Sequence, residues 1–143
     1  SKLINVRAVC HTLRLLTDQN SYKNLTQKLI IPFQRLSQLT KKKLTKVRKL
    51  DFGVEVKANH FKFFNKSSIL PNSLAISYAL AIANSGKARK IYLAGFDGYT
   101  SDDPRRLEMD QTLSLYQSLK KKVEIISITP TKYKIKSSSV YAY

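Results

Sequence analysis

Apolar and polar residues alternate from Leu3 and the segment turns apolar by Cys10, the spacing of a strand. The next stretch, His11–Asn24, has room for a short helix around Leu13–Leu16 with Arg14 on its exposed side. Lys28–Ile31 is a short apolar run stopped by Pro32, which predicts a second strand. The period then lengthens. Leu36, Leu39, Leu44, Val47 and Leu50 fall on one side of a helix at roughly 100° per residue, with lysines on the other. Phe52–Val56 and His60–Phe64 read as two short strands.

Beyond residue 70 the pattern sharpens. Pro71-Asn72-Ser73 is a helix start, with a capping side chain at Asn72 or Ser73. Leu74–Asn84 is apolar almost all round, which predicts a helix buried on more than one side and ended by Ser85-Gly86. Lys90–Phe96 is a continuous apolar strand of the kind found at the centre of a parallel sheet, and it leaves through the polar loop Asp97-Gly98-Tyr99. Pro104 suits the first turn of the next helix, to which Met109, Leu113, Tyr116 and Leu119 give one apolar stripe. Lys120–Lys122 follow, where cations complement a helix C-terminus. Val123–Ile128 is a further strand, stopped by Thr129-Pro130-Thr131, and Val140–Tyr143 can pair as an edge strand. Helix, strand, helix and strand across Asn72–Ile128, with short connections, are the order of right-handed parallel crossovers. The expected fold is α/β: a single three-layer Rossmann-like domain over residues 1–143 with a mostly parallel sheet.

Charge changes this picture less than its size suggests. The chain carries a formal +17, yet Asp97, Asp102, Asp103, Glu108 and Asp110 hold five of its nine acids. With Arg105 and Arg106 that segment nets −3, leaving +20 on the rest, mostly lysines spread along the chain. The run Lys41–Lys43 is the solvated face of an amphipathic helix, so nucleic acid is not the expected partner. A small anionic ligand suits the same charge. Cys10 is the one cysteine, which excludes an internal disulfide and fits a reducing compartment. No apolar run is long enough to span a bilayer and no signal peptide is visible, so the expected location is the cytoplasm. The chain opens on a strand, as a domain excised from a larger protein would.

Ligands of open α/β sheets bind beyond the carboxyl ends of the strands. That rule selects Cys10-His11, Pro32-Phe33, Asp97-Gly98-Tyr99 and Thr129-Pro130-Thr131. Asp97 is the leading candidate: an acid after a strand binds ribose or sugar hydroxyls, holds a metal or acts as a base, or else caps a turn. Tyr99 either stacks on a ring or covers the core edge. Asn72 and Ser73 are helix caps or contacts to an anion at the helix N-terminus. His11 suits proton transfer or a phosphate contact. Arg14, Arg105 and Arg106 suit a carboxylate or phosphate clamp, with solvated surface as the default. Cys10, His11, His60 and Asp97 match no zinc spacing, so no metal is expected. Neither G-x-G-x-x-G, nor G-x-x-x-x-G-K-[ST], nor G-x-S-x-G occurs, which disfavours a dinucleotide dehydrogenase, a P-loop enzyme and an α/β-hydrolase. No catalytic residue and no cofactor is identified.

The segment Ala79–Tyr99, ALAIANSGKARKIYLAGFDGY, resembles the nucleotide-sugar half of bacterial sialyltransferase-like and related Rossmann-like proteins. Leu74 stands where such proteins often place a glycine. A resemblance covering more of the chain rests on CHTLRLLTD, LIIPF, LPNSLAISYALAIA, IYLAGFDGY, EMDQTLSLY and ITPTKYKI. Together these are similar to the C-terminal domain of HMG-CoA-lyase/4-hydroxy-2-oxovalerate-aldolase-like proteins of bacterial surface-polysaccharide gene clusters. The resemblance implies an accessory domain whose partner is the N-terminal barrel of a parent protein. The metal-binding aspartate and histidine motifs of that barrel are not in this sequence, so the chain itself is not expected to be an aldolase. The expectation is a domain that binds a nucleotide, nucleotide-sugar or acidic sugar through Asp97, Tyr99, Asn72, Ser73, His11 and Thr129. Two alternatives stand beside it: a sialyltransferase-like glycosyltransferase domain using a CMP-sugar, and a non-catalytic assembly domain.

Overall fold

A computed structural model describes residues 6–11 and 25–142. The helix expected around Leu13–Leu16, with Arg14, lies outside the described residues. The chain forms a mixed α/β structure with three small sheets, and divides into two compact units, Ser1–Ile82 and Ala83–Tyr143.

In the first unit the strands β1 (Val6–Ala8), β2 (Lys28–Ile31) and β3 (Lys49–Asp51) form one parallel sheet with β2 at its centre. The sequence explains that place. Leu29, Ile30 and Ile31 are buried, and Pro32, which has no N–H to give a ladder, ends the strand. Leu29 and Ile31 pack with Leu36, Leu44 and Val47 into the core of this unit.

The long helix expected from Leu36 to Leu50 is replaced by a single short one, α1 (Gln38–Lys43), capped by Ser37, whose Oγ accepts the Thr40 N–H. The chain turns at Leu44, and Lys49 Nζ donates to the carbonyls of Leu44 and Val47. Beyond that turn the chain extends, and Leu50 pairs with Ile30 in the sheet. Strand pairing has overridden a helical period. Leu36, Leu44 and Val47 keep their buried places, whereas Leu39 is exposed.

A second sheet holds β4 (Gly53–Val56), β5 (Lys62–Phe63) and β6 (Ser67–Leu70). β6 lies between a parallel β4 and an antiparallel β5. Like β3, it was not expected as a strand from the sequence. The helix α2 (Ala75–Ser85) follows, and the boundary between the two units falls within it. Only Ala75 and Ala79 are exposed along its length, as its apolar circumference requires. Tyr78 donates its hydroxyl proton to the Phe52 carbonyl at 3.0 Å and meets the Phe52 ring edge-on. Burial, with Cys10 and Asp51 nearby, pushes the Tyr78 phenol well above its ordinary range, so it stays a donor.

The helix closes on a Schellman turn: the Ala88 N–H donates to Ala83 O at 3.0 Å and the Lys87 N–H to Asn84 O at 3.0 Å. The left-handed residue of that turn is Lys87 (φ 54°), one position past the expected glycine. A β-carbon in that conformation costs about 1–2 kcal/mol, of which the extra chain entropy of glycine returns part. Lys87→Gly is therefore expected to raise stability by about 0.5–1 kcal/mol. A higher urea midpoint at unchanged slope is the reading that checks it.

The second unit holds β7 (Lys90–Leu93), α3 (Pro104–Ser118), β8 (Glu124–Ser127) and β9 (Lys136–Ser137), with all strand pairs parallel. α3 starts where its cap dictates. The Asp103 carboxylate accepts the Arg105 N–H at 2.9 Å, and Pro104 occupies the first turn. Met109, Leu113 and Tyr116 are buried, with Leu119 as the C-cap. Lys122 Nζ donates to the Leu119 carbonyl at 2.9 Å. β8, not β7, occupies the middle of the sheet: Ile125, Ile126 and Ser127 are buried, while Tyr92 of β7 is exposed. The edge strand is Lys136–Ser137 rather than Val140–Tyr143. Val140–Ala142 forms a turn of 3-10 helix, and Tyr143 lies outside the described residues. Among the described residues, no helix is long and apolar enough to cross a membrane.

Candidate functional site

The loop that leaves β7 is laced to the loop that leaves β8. The Ile128 N–H donates to Leu93 O (2.9 Å), the Gly95 N–H to Thr129 Oγ1 (2.9 Å), the Lys132 N–H to Asp97 O (2.8 Å) and the Tyr99 N–H to Tyr133 Oη (3.3 Å). Two glycines let the first loop follow this path, Gly95 at φ 66° and Gly98 at φ 101°. Gly98 also answers a steric demand. A β-carbon there would lie 3.1 Å from Lys132 Cβ and 3.4 Å from Tyr133 Cε2.

The result is a cleft of about 300 Å³ beyond the carboxyl end of β7, lined by Gly95-Phe96-Asp97-Gly98-Tyr99 with Met109 and Tyr133. Its wall is aromatic, with the Phe96 and Tyr133 rings 5.0 Å apart. Tyr133 is buried, and desolvation raises the pKa of its phenol. At the rim the Arg105 guanidinium lies 4.4 Å above the Tyr99 ring. Arg105 Nη2 donates to Asp103 Oδ2 at 2.6 Å and Nε to Oδ1 at 2.9 Å, and these bonds hold the Asp103 carboxyl below its ordinary range. The Thr100 hydroxyl does the same for Asp102. The Asp97 backbone is fixed by Lys132, while its side chain is exposed and forms no ion pair among the described residues.

Asp97 and Tyr99 therefore line one cleft. Thr129 stands on the adjoining loop, with its hydroxyl engaged by the Gly95 amide. Asn72, Ser73 and His11 belong to the other unit. There Asn72 Oδ1 accepts from the Leu74 N–H (3.2 Å) and from Ser77 Oγ (2.7 Å), the work of a helix cap. Ser73 is exposed and lines a cleft of about 280 Å³ with Cys10, Pro32 and Arg35. Cys10 is half-buried, and desolvation raises the pKa of its thiol. His11 is exposed, and His60 Nδ1 lies 2.7 Å from the Ala58 carbonyl. Arg106 pairs with Asp110 at 3.6 Å. Among the described residues, no group of three or more histidine, cysteine or acidic side chains is arranged to hold a metal.

Gly95, Phe96, Met109 and Tyr133 are cleft residues that the sequence did not assign to the site. The signal for Tyr133 was an aromatic side chain isolated between Lys132 and Lys134 in a polar segment, where only a tertiary contact would retain it. Met109 was legible as core, and the cleft opens beside that core. Comparison with protein-family models, with curated proteins and with solved structures finds no match to this chain.

Proposed function

We propose that this chain is a Rossmann-like α/β binding domain that takes a nucleotide-sugar or acidic sugar at the Asp97 cleft. This is the accessory role implied by its resemblance to aldolase-associated domains of surface-polysaccharide clusters. Five of the six strand pairs are parallel, which supports the fold assignment. The observation that carries the ligand assignment is the exposed Asp97 carboxylate, held between two glycine turns against an aromatic wall. A carboxylate accepts paired hydroxyl protons from a ribose or sugar, and an aromatic face covers the apolar side of such a ring. Arg105, stacked on Tyr99 with Nε and Nη2 on Asp103, presents Nη1 to a phosphate or sugar carboxylate at the rim.

Isothermal titration of the chain with CMP, CDP, UDP, CMP-sialic acid and UDP-sugars tests this reading. One class is expected to bind saturably, and Asp97→Asn is expected to weaken it by about 10- to 100-fold, or about 1.4–2.8 kcal/mol. Asp97 is exposed, so the variant keeps the fold. Saturable binding that Asp97→Asn leaves unchanged would move the site elsewhere, and no binding by any of these ligands would overturn the proposal.

A further inference from the structure

We propose that the first unit carries a second binding site, for a small zwitterion of the α-amino acid class. It shares no residue with the Asp97 cleft and stands independently of that reading. The site is a cleft of about 460 Å³, within the size range of small-molecule pockets. It opens where β2 and β3 end, the edge that ligands of α/β sheets use. Pro32, Gln34 and Arg35 come from the turn after β2, and Asp51 is the last residue of β3. Glu55 of β4 and Phe64 and Lys66 before β6 complete the polar and aromatic lining.

Charge selects the ligand. Arg35 and Lys66 line the same cleft as Asp51 and Glu55, yet none of the four forms an ion pair among the described residues. Among the described residues, the one hydrogen bond to these carboxylates is long, from the Gln34 N–H to Asp51 Oδ1 at 3.4 Å. A simple anion entering the cleft meets two carboxylates, and a simple cation meets two cations. A molecule with a carboxylate and an ammonium on one carbon offers a partner to both pairs and brings no net charge into the cleft.

A neutral polyol would leave all four charges unmatched. The half-exposed Phe64 ring in the lining suits the side chain of such a ligand.

Ser68 lies beneath the lining of the cleft. It is 2% exposed, and its Oγ has no hydrogen-bond partner. A buried hydroxyl without a partner is uncommon in a native protein and costs stability unless something else satisfies it. The Ser68 Oγ is closed off from the cleft, so the missing bond is a cost to the stability of the strand rather than a ligand contact.

The test uses the whole chain, labelled with nitrogen-15, and follows amide shifts as the coded α-amino acids are added in turn. At least one is expected to shift the amides of Arg35, Asp51 and Lys66–Ile69. Its deaminated and decarboxylated counterparts (for L-leucine, 4-methylpentanoate and isoamylamine) are expected to bind at least about tenfold more weakly. Arg35→Gln and Glu55→Gln alter exposed side chains, and each is expected to weaken binding about tenfold. Ser68→Ala is expected to raise the thermal midpoint of the free protein and to leave binding unchanged, because the hydroxyl is closed off from the cleft. The proposal is overturned if no amino acid shifts these amides. It is also overturned if the deaminated acid binds as tightly as the amino acid, which would mark a plain anion site, or if only a sugar shifts them.

Discussion

Tyr116→Ala is expected to cost the second unit about 3–5 kcal/mol, the range for deleting a large buried aromatic side chain. Small domains hold only about 5–15 kcal/mol in all, so the variant should be largely unfolded well below the denaturation temperature of the native protein. The size of the effect comes from two sources. The ring is 1% exposed and belongs to the buried stripe of α3 with Met109 and Leu113. Its hydroxyl closes a polar circuit: Tyr116 Oη donates to the Val123 carbonyl at 2.8 Å and accepts from Asn84 Nδ2 at 2.8 Å, while the Val123 N–H donates to Asn84 Oδ1 at 2.9 Å. The circuit ties the last turn of α2 to α3 and to the start of β8. Burial raises the pKa of the Tyr116 phenol, so its proton stays in place to donate. Tyr116→Phe separates the two sources. It keeps the ring and removes both hydroxyl bonds, for an expected loss of about 1–3 kcal/mol. Urea unfolding followed by circular dichroism measures both variants. A phenylalanine variant as stable as the native chain would show that the circuit contributes nothing beyond the packed ring. A double-mutant cycle with Asn84→Ala then gives the coupling across it.

The parts of this fold that were legible in the sequence are those with a local cause. β2 could be read because Pro32 stops an apolar run, and α3 because Pro104 suits a first turn and Met109, Leu113 and Tyr116 recur at helical spacing. The parts that were not legible depend on contacts distant in sequence. Leu50 continued a helical period but pairs with Ile30, and nothing within residues 36–50 announces that partner. β6 escaped because Ser67 and Ser68 interrupt the apolar alternation, although Ser68 is buried between β4 and β5.

The candidate site divides in the same way. The rule that ligands lie beyond strand ends picks out Asp97, Tyr99 and Thr129 from the sequence, and Asp97 and Tyr99 line the cleft. That the Thr129 hydroxyl would be taken up by the Gly95 amide follows only from the approach of two loops. Tyr133 enters through the same approach, since its burial is set by Phe96 and Gly98 rather than by any period in its own segment. Asn72 was legible as a cap, and its oxygen accepts from the Leu74 N–H and from Ser77 Oγ.

Gly98→Ala is expected to damage the Asp97 cleft far more than Gly95→Ala, although both glycines have positive φ. At Gly95 (φ 66°) an added β-carbon meets no atom within 4 Å, so the cost is backbone strain alone, about 1–2 kcal/mol. Gly95→Asn should be milder still, because asparagine visits that region readily. At Gly98 (φ 101°) the strain is joined by contacts of 3.1 Å to Lys132 Cβ and 3.4 Å to Tyr133 Cε2. Crowding of that kind adds about 1–3 kcal/mol. The neighbours cannot yield independently. The Lys132 N–H is bonded to Asp97 O, and Tyr133 Oη accepts the Tyr99 N–H, so any retreat of the second loop pulls on both sides of the inserted methyl. The two variants therefore separate in two measurements. Gly98→Ala should lower the urea midpoint more than Gly95→Ala, and it should also lose the affinity of the cleft for its nucleotide-sugar, because the Asp97 carboxylate moves with the peptide that follows it. Equal stability and equal affinity in the two variants would mean that the loops do not approach as closely as the contact at Gly98 requires, and the aromatic wall against Asp97 would lose its physical basis.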